Sequence, residues 1–97
     1  MNMNSLMQQA QRMQQEVEAK KREINATEFI GTAGGGMVEV VMMGDRTLKN
    51  VKFKPEIVDP DDIEMLEDLT LAALNDAVAQ ITKKEAEAMP NMSGLGL

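Results

Sequence analysis

Apolar residues recur at two different spacings along this chain, and the change of spacing divides it into elements. From Ser5 to Asn25 the residues are mostly Gln, Glu, Ala and Met, with no Gly or Pro. Met3, Ala10, Val17 and Ile24 fall seven apart, with Leu6 and Met13 at the offset positions. That spacing predicts a long helix with a narrow stripe of coiled-coil type. Ser5 stands three residues before Gln8, a candidate capping box. Lys20 takes the next stripe position, so the heptad weakens there.

Between Ala26 and Val58 the period becomes two. Thr27 to Thr32, Met37 to Met43 and Thr47 to Phe53 are short β-rich runs, divided by Gly34-Gly35-Gly36 and by Gly44-Asp45. A three-stranded antiparallel meander is expected. In its second strand Val38, Val40 and Met42 alternate with Met37, Glu39, Val41 and Met43, so both faces read as largely apolar and one helix layer would leave a face partly uncovered.

Asp59-Pro60-Asp61-Asp62 opens a second helix, with Asp59 as the expected cap and Pro60 at the first helical position. It should run to about Glu87. Ile63, Leu66, Leu69, Ala73, Leu74, Ala77, Val78 and Ile81 cover roughly half its circumference, more than one sheet needs. The fold class is therefore α+β, in the order αβββα, with one domain over residues 1–89 and a flexible tail over 90–97. A helix of about 21 residues spans roughly 31 Å, whereas the strands reach about 17 to 23 Å. The first helix must overhang its sheet, and its stripe needs cover from the second helix or a second copy of the chain. A homodimer with projecting helices is expected, with Leu66, Leu69, Ala73, Leu74 and Val78 at the interface.

Composition narrows the chemistry. Ninety-seven residues allow one core, and the apolar bulk comes from ten methionines with only Phe29 and Phe53 as aromatics, a soft core that favours a partner subunit. Cysteine and histidine are both absent, which removes thiolate nucleophiles, disulfides, Cys-ligated zinc and the commonest general base. No catalytic residue, metal or cofactor is expected. The amino terminus shows no signal pattern, and no window reaches the roughly 18 apolar residues of a membrane span, so a cytoplasmic protein without membrane contact is expected.

Two motifs have plainer explanations than ligand binding. Gly34-Gly35-Gly36 is followed by a strand, with no Lys-Ser/Thr, and so reads as a hairpin turn and not a phosphate loop. Asp59, Asp61 and Asp62 lack the spacing of a calcium loop and read as helix-capping residues. The charge pattern is more informative. All ten basic residues are grouped: Arg12, Lys20, Lys21 and Arg22 on the first helix, Arg46, Lys49, Lys52 and Lys54 around the third strand, and Lys83 with Lys84 late in the second helix. The acids Glu56, Asp59, Asp61, Asp62, Glu64, Glu67 and Asp68 form one run, so the net charge of −6 is compatible with a polarised surface. Glu16, Glu18 and Glu23 interrupt the basic group on the first helix, and on pattern alone a solvated face is the simpler reading. Tyr and Trp are absent, so there is no stacking platform for single strands.

Thr32-Ala33-Gly34-Gly35-Gly36-Met37-Val38-Glu39-Val40 with Gly44, then Val58-Asp59-Pro60-Asp61-Asp62, and Glu64 to Leu69 continuing through Ala72 to Ala77, resemble the YbaB/EbfC nucleoid-associated family. Met7 to Gln14 also resembles its first helix, so the likeness runs from about Leu6 to Met89. The resemblance implies a cytoplasmic, nucleoid-associated homodimer whose helices project like tweezers. Such a dimer would bind double-stranded DNA with loose sequence preference, alter its conformation, and act without catalytic residues, cofactor or small-molecule substrate. Arg12, Lys20, Lys21, Arg22, Lys83 and Lys84 are the candidate DNA contacts, with Arg12 best anchored by the matching segment. Contact should be led by phosphate, with Gln8, Gln11 and Gln15 as secondary groove contacts. The rival reading is a Met-rich dimeric module that clamps an apolar segment of another protein. A salt titration separates the two, because only phosphate contact weakens steeply with salt.

Overall fold

The computed structural model describes residues 2–88. Helix α1 (Met3–Asn25) leads into strands β1 (Glu28–Ala33), β2 (Val38–Met43) and β3 (Leu48–Phe53), a single 3₁₀ turn at Pro55–Ile57, and helix α2 (Ile63–Ala88). The strands form one antiparallel sheet in the order β1-β2-β3, with Gly31 opposite Val40 and Val40 opposite Val51. The αβββα order and the meander read from the sequence are present. The expected tail over 90–97 lies outside the described residues.

Both helices start elsewhere than the pattern suggested. Asn2 caps α1 by accepting a hydrogen bond from the Ser5 amide at 2.8 Å, so the helix begins two residues before Ser5. At α2, Asp59 accepts from the Asp61 amide and its carbonyl accepts from the Asp62 amide, which makes Asp59 to Asp62 a β-turn with Pro60 in its favoured second position. Asp62 then takes the capping role, accepting from the Met65 amide at 3.2 Å.

Helix α2 packs on one face of the sheet, over β1 and β2. Phe29, Gly31 and Ala33 of β1 and Val38, Val40 and Met42 of β2 share that face by register, and Val38 and Val40 are fully buried with Ala73, Ala77 and Ile81 of the helix. Close approach needs Gly31. A Cβ there would lie 2.2 Å from the Ala73 carbonyl oxygen and 2.7 Å from the Ala77 amide nitrogen. Small residues on both sides let the helix backbone rest on the strand, and each large apolar side chain buried around them contributes about 1.5–3 kcal/mol. The other face is mixed, not largely apolar: Ile30 opposes Val41, but Thr32, Glu39 and Lys52 form a polar row across all three strands. Met37 lies in the turn before β2.

The two edges of the sheet differ. On β1, Asp76 accepts from the Thr32 amide at 3.0 Å and the Gln80 side-chain amide donates to the Ile30 carbonyl at 2.8 Å, so side chains of α2 occupy edge positions. Among the described residues β3 has no strand on its outer side. Because α2 lies over β1 and β2, the same-face side chains of β3 stay partly open, with Val51 half-buried and Phe53 exposed.

The molecule is long. Its extents are 70 × 26 × 15 Å and its radius of gyration is 19.4 Å, against about 13 Å for a compact chain of this size. At 1.5 Å per residue α1 and α2 measure about 34 and 39 Å, so together they account for the long dimension only if they lie nearly end to end. They meet where the root of α1 reaches the end of α2. Ile24 is buried there, and a Cβ at Gly44 would fall 1.8 Å from the Ile24 carbonyl oxygen. Beyond that root α1 projects: Ile24 is its one buried residue and Val17 its one half-buried residue.

Candidate functional site

The projecting arm has two opposed faces. At 100° per residue, Met3, Leu6, Ala10, Met13 and Val17 cluster along one line, while Arg12 and Arg22 lie about 140° from it and about 80° from each other. Gln8, Gln11 and Gln15 share the side of the two arginines. All of these polar residues are exposed. The Glu residues that interrupt the basic group in sequence, Glu16, Glu18 and Glu23, all lie in the inner half of the arm, so Arg12 is the one ionisable residue between Asn2 and Gln15.

At the root of the arm the remaining candidates come together. Lys20 lies 3.9 Å from Glu23, an exposed pair one helical turn apart. Lys21 stands near Glu85 of α2, whose carboxyl is held below its ordinary range chiefly by the hydrogen bonds from Arg46, with the charge of Arg46 and then that of Lys21 adding smaller parts. Lys83 and Lys84, one turn before Glu87, are exposed beside Phe29 at the start of β1. The fold therefore brings the root of α1, with Lys20, Lys21 and Arg22, to the end of α2 that carries Lys83 and Lys84, and leaves Arg12 about 14 Å farther out along α1.

Arg46 braces this junction. Its backbone adopts a left-handed conformation with φ 71° in the turn between β2 and β3. Its guanidinium makes two hydrogen bonds to Glu85, at 2.9 and 3.1 Å, and a longer one to Thr82. Those bonds raise the Arg46 pKa and lower that of Glu85. Arg46 is thus committed to holding the sheet against α2. Lys49 is likewise paired, with Glu28 across β2. Lys52 and Lys54 sit on or beside the sheet, away from the arm.

Charge is divided along the long axis. Of sixteen acids and ten bases, seven acids and no base fall between Pro55 and Asp68, which leaves nine acids and ten bases elsewhere, a balance of +1. The acidic run occupies the start of α2, whereas Lys83 and Lys84 lie near its end, about 22 Å beyond Asp68. Screening at physiological salt acts over about 8 Å, so the acidic end exerts little field at the arm. Asp59 and Asp62 are engaged in the turn and cap, and among the described residues no three acidic side chains gather to hold a metal. No helix among them is long and apolar enough to cross a membrane.

The expected interface residues divide. Ala73 is fully buried against its own β1 and offers no surface to a partner. Leu66, Leu69, Leu74 and Val78 are half-buried and border the core. Leu66 and Leu74 also line an open apolar groove with Thr70, Leu71 and Phe53, where α2 leaves β3 uncovered. Leu71, 60% exposed, and Phe53, 40% exposed, were not among the candidates. Leu71 is apolar in a helix whose core face is already full, a signal visible on a helical wheel. Phe53 needed the lateral offset of α2 to be noticed.

Comparison with known proteins bears on what this surface does. The sequence profile of the YbaB/EbfC DNA-binding family matches residues 1–96. A protein named nucleoid-associated protein from Lachnoclostridium phytofermentans is 48% identical over 93 residues, which covers 96% of this chain and 78% of that one. A protein of the same name from Chloroflexus aurantiacus is 45% identical over 94 residues, covering 97% of this chain and 94% of that one. A crystal structure of an uncharacterized protein from Helicobacter pylori superposes with a TM-score of 0.73 at 22% identity, covering 90% of this chain and 91% of the other, a likeness of fold.

Proposed function

Because this chain belongs to the YbaB/EbfC DNA-binding family, whose curated relatives are named nucleoid-associated proteins, we propose that it binds double-stranded DNA as a homodimer, with loose sequence preference, through its projecting α1 arms. The observation that carries this reading is the exposed polar face of α1. Arg12 and Arg22 lie on it with Gln8, Gln11 and Gln15, opposite the apolar stripe and remote from the acidic run. Arginine and lysine at phosphates would release condensed counterions and supply affinity, and glutamines at groove edges would add a little discrimination. Lys20, Lys21, Lys83 and Lys84 extend the basic surface to the root, where duplex lying along the arm would pass.

The dimer would form at the uncovered side of α2. Leu66, Leu71 and Leu74 with Phe53 make a continuous apolar groove, Leu69 and Val78 border the core nearby, and β3 supplies an unpaired edge beside it. Two-fold symmetry then doubles every arm contact. Held on two arms, a duplex would be bent or bridged, which suits a role in organising the nucleoid and modulating transcription without turnover of any substrate. A gel-shift series with unrelated duplexes across about 50 to 200 mM salt tests the reading, and steep weakening common to all sequences is expected. Binding that ignores salt would instead favour the protein-clamp reading, in which the apolar groove holds a segment of another protein.

A further inference from the structure

The apolar stripe on the outer half of α1 has no cover within the described chain. Met3, Leu6 and Met13 are 74%, 45% and 56% exposed, whereas at the root Val17 is half-buried and Ile24 buried. The free stretch is therefore two heptads at the tip, on the face opposite Arg12. We propose that this stretch docks on the same stretch of a second copy, antiparallel and tip to tip, so that arms of different molecules pair.

Three observations select that occupant. First, the stretch matches itself. In an antiparallel heptad pairing centred near Gln8, Met3 lies opposite Met13 of the second copy and Leu6 opposite its Ala10, and the same layers repeat in reverse. Second, no like charges meet. Arg12 is the sole ionisable residue from Asn2 to Gln15, and it points away from the seam. Third, the ends are complementary. The first turn of α1 has no acidic residue to offset its positive helix end, and this register brings Glu16 of the second copy beside it, once at each end of the pair. A parallel arrangement would instead set the two positive ends side by side and, farther in, Lys20 against Lys20.

Two heptads are too short to pair strongly between dilute molecules. Pairing therefore belongs to crowded conditions, where neighbours are held at high effective concentration. The arm would then use one face for a second arm while its arginine face stays free. This contact does not depend on DNA and is tested without it.

The chain has no cysteine, so single thiols report the register cleanly. Full-length Leu6→Cys and Ala10→Cys proteins, both altered at exposed positions, are mixed and gently oxidised. The mixed 6-to-10 disulfide should dominate over both same-site products, because only that pair comes within the roughly 7 Å Cα separation a disulfide requires. Dominance of same-site products would mean parallel arms, and a random mixture or no product would mean unpaired arms. Either result overturns the proposal. In parallel, sedimentation of the unaltered chain should show mass rising with concentration beyond the species set by α2, and the Leu6→Asn, Met13→Gln double variant should lose that rise while keeping its helical circular dichroism. Equal behaviour of the two proteins would also overturn it.

Discussion

Replacement of Arg12 by alanine tests the proposed DNA surface most directly. Arg12 stands about 14 Å outward from the basic residues of the root, and no acid precedes Glu16 along the arm. The nearest acid along the helix is Glu16, one turn inward. Each phosphate contact contributes about 0.9 to the slope of log affinity against log salt, and a two-fold dimer carries Arg12 twice. Arg12→Ala should therefore flatten the slope by about 1.8 if both copies touch phosphate. Over a fourfold change from about 50 to 200 mM salt, affinity of the unaltered protein should fall about twelvefold more than that of the variant. Lys20 is expected to contribute less for each residue, because Glu23 lies 3.9 Å away and offsets part of its charge. The joint Lys20→Ala, Lys21→Ala variant should still weaken binding. The assay is fluorescence anisotropy on several unrelated duplexes, with Lys52→Ala, Lys54→Ala as the comparison. An unchanged slope for Arg12→Ala would refute the reasoning, as would a loss confined to one sequence. If the sheet variant lost affinity while the arm variants did not, the contact surface would be the sheet.

Three further outcomes are expected. Leu71→Asp places a charge in the groove beside Phe53 without touching the core, so sedimentation should show the proposed dimer giving way to monomer with the circular dichroism spectrum retained; an unchanged mass would exclude this face. Gly31→Ala forces a methyl group against the α2 backbone, and thermal unfolding should report a loss of about 1–3 kcal/mol or more, whereas an unaltered melting temperature would mean the helix can shift freely. Glu85 has its pKa lowered below 4.5 by Arg46, so the pair's stabilisation is fully present above that value and is lost as pH falls through the folded-state pKa; the difference in melting temperature between the unaltered chain and Glu85→Gln should shrink as pH drops below 4.5, and a constant difference would contradict the pairing.

The order of elements was legible because the apolar period itself changes, from seven-residue spacing to alternation and back to a helical stripe. Helix starts were less so. Asn2, Asn4 and Ser5 are all competent caps, as are Asp59, Asp61 and Asp62, and only the backbone path chooses Asn2 and Asp62. Gly31 carried a readable signal, an isolated glycine inside a strand, but its partner could be named only once α2 was seen lying on β1. The basic residues were visible as groups. Their division into an outer Arg12 and an inner cluster with Lys83 and Lys84 depends on contact between segments some sixty residues apart, and the commitment of Arg46 to Glu85 on contact between residues 39 apart, and no local pattern encodes either. Ala73 was misplaced at an interface because the stripe on α2 serves two surfaces, and composition alone does not say which apolar residue faces which.

The stoppering of β1 by Asp76 and Gln80 bears on how far self-assembly of the sheet can go. A sheet with two bare margins can recruit strands from both sides and has no built-in limit, the route by which ordered fibres grow. Here one margin already satisfies part of its hydrogen-bonding capacity with side chains of its own helix, while β3 stays available. Strand addition at β3 by a second copy would consume the open margin of both molecules at once and leave two stoppered margins outward. The geometry favours a finite count of two along the sheet, and a Gln80→Ala, Asp76→Ala protein should lose that ceiling and become prone to fibrillation.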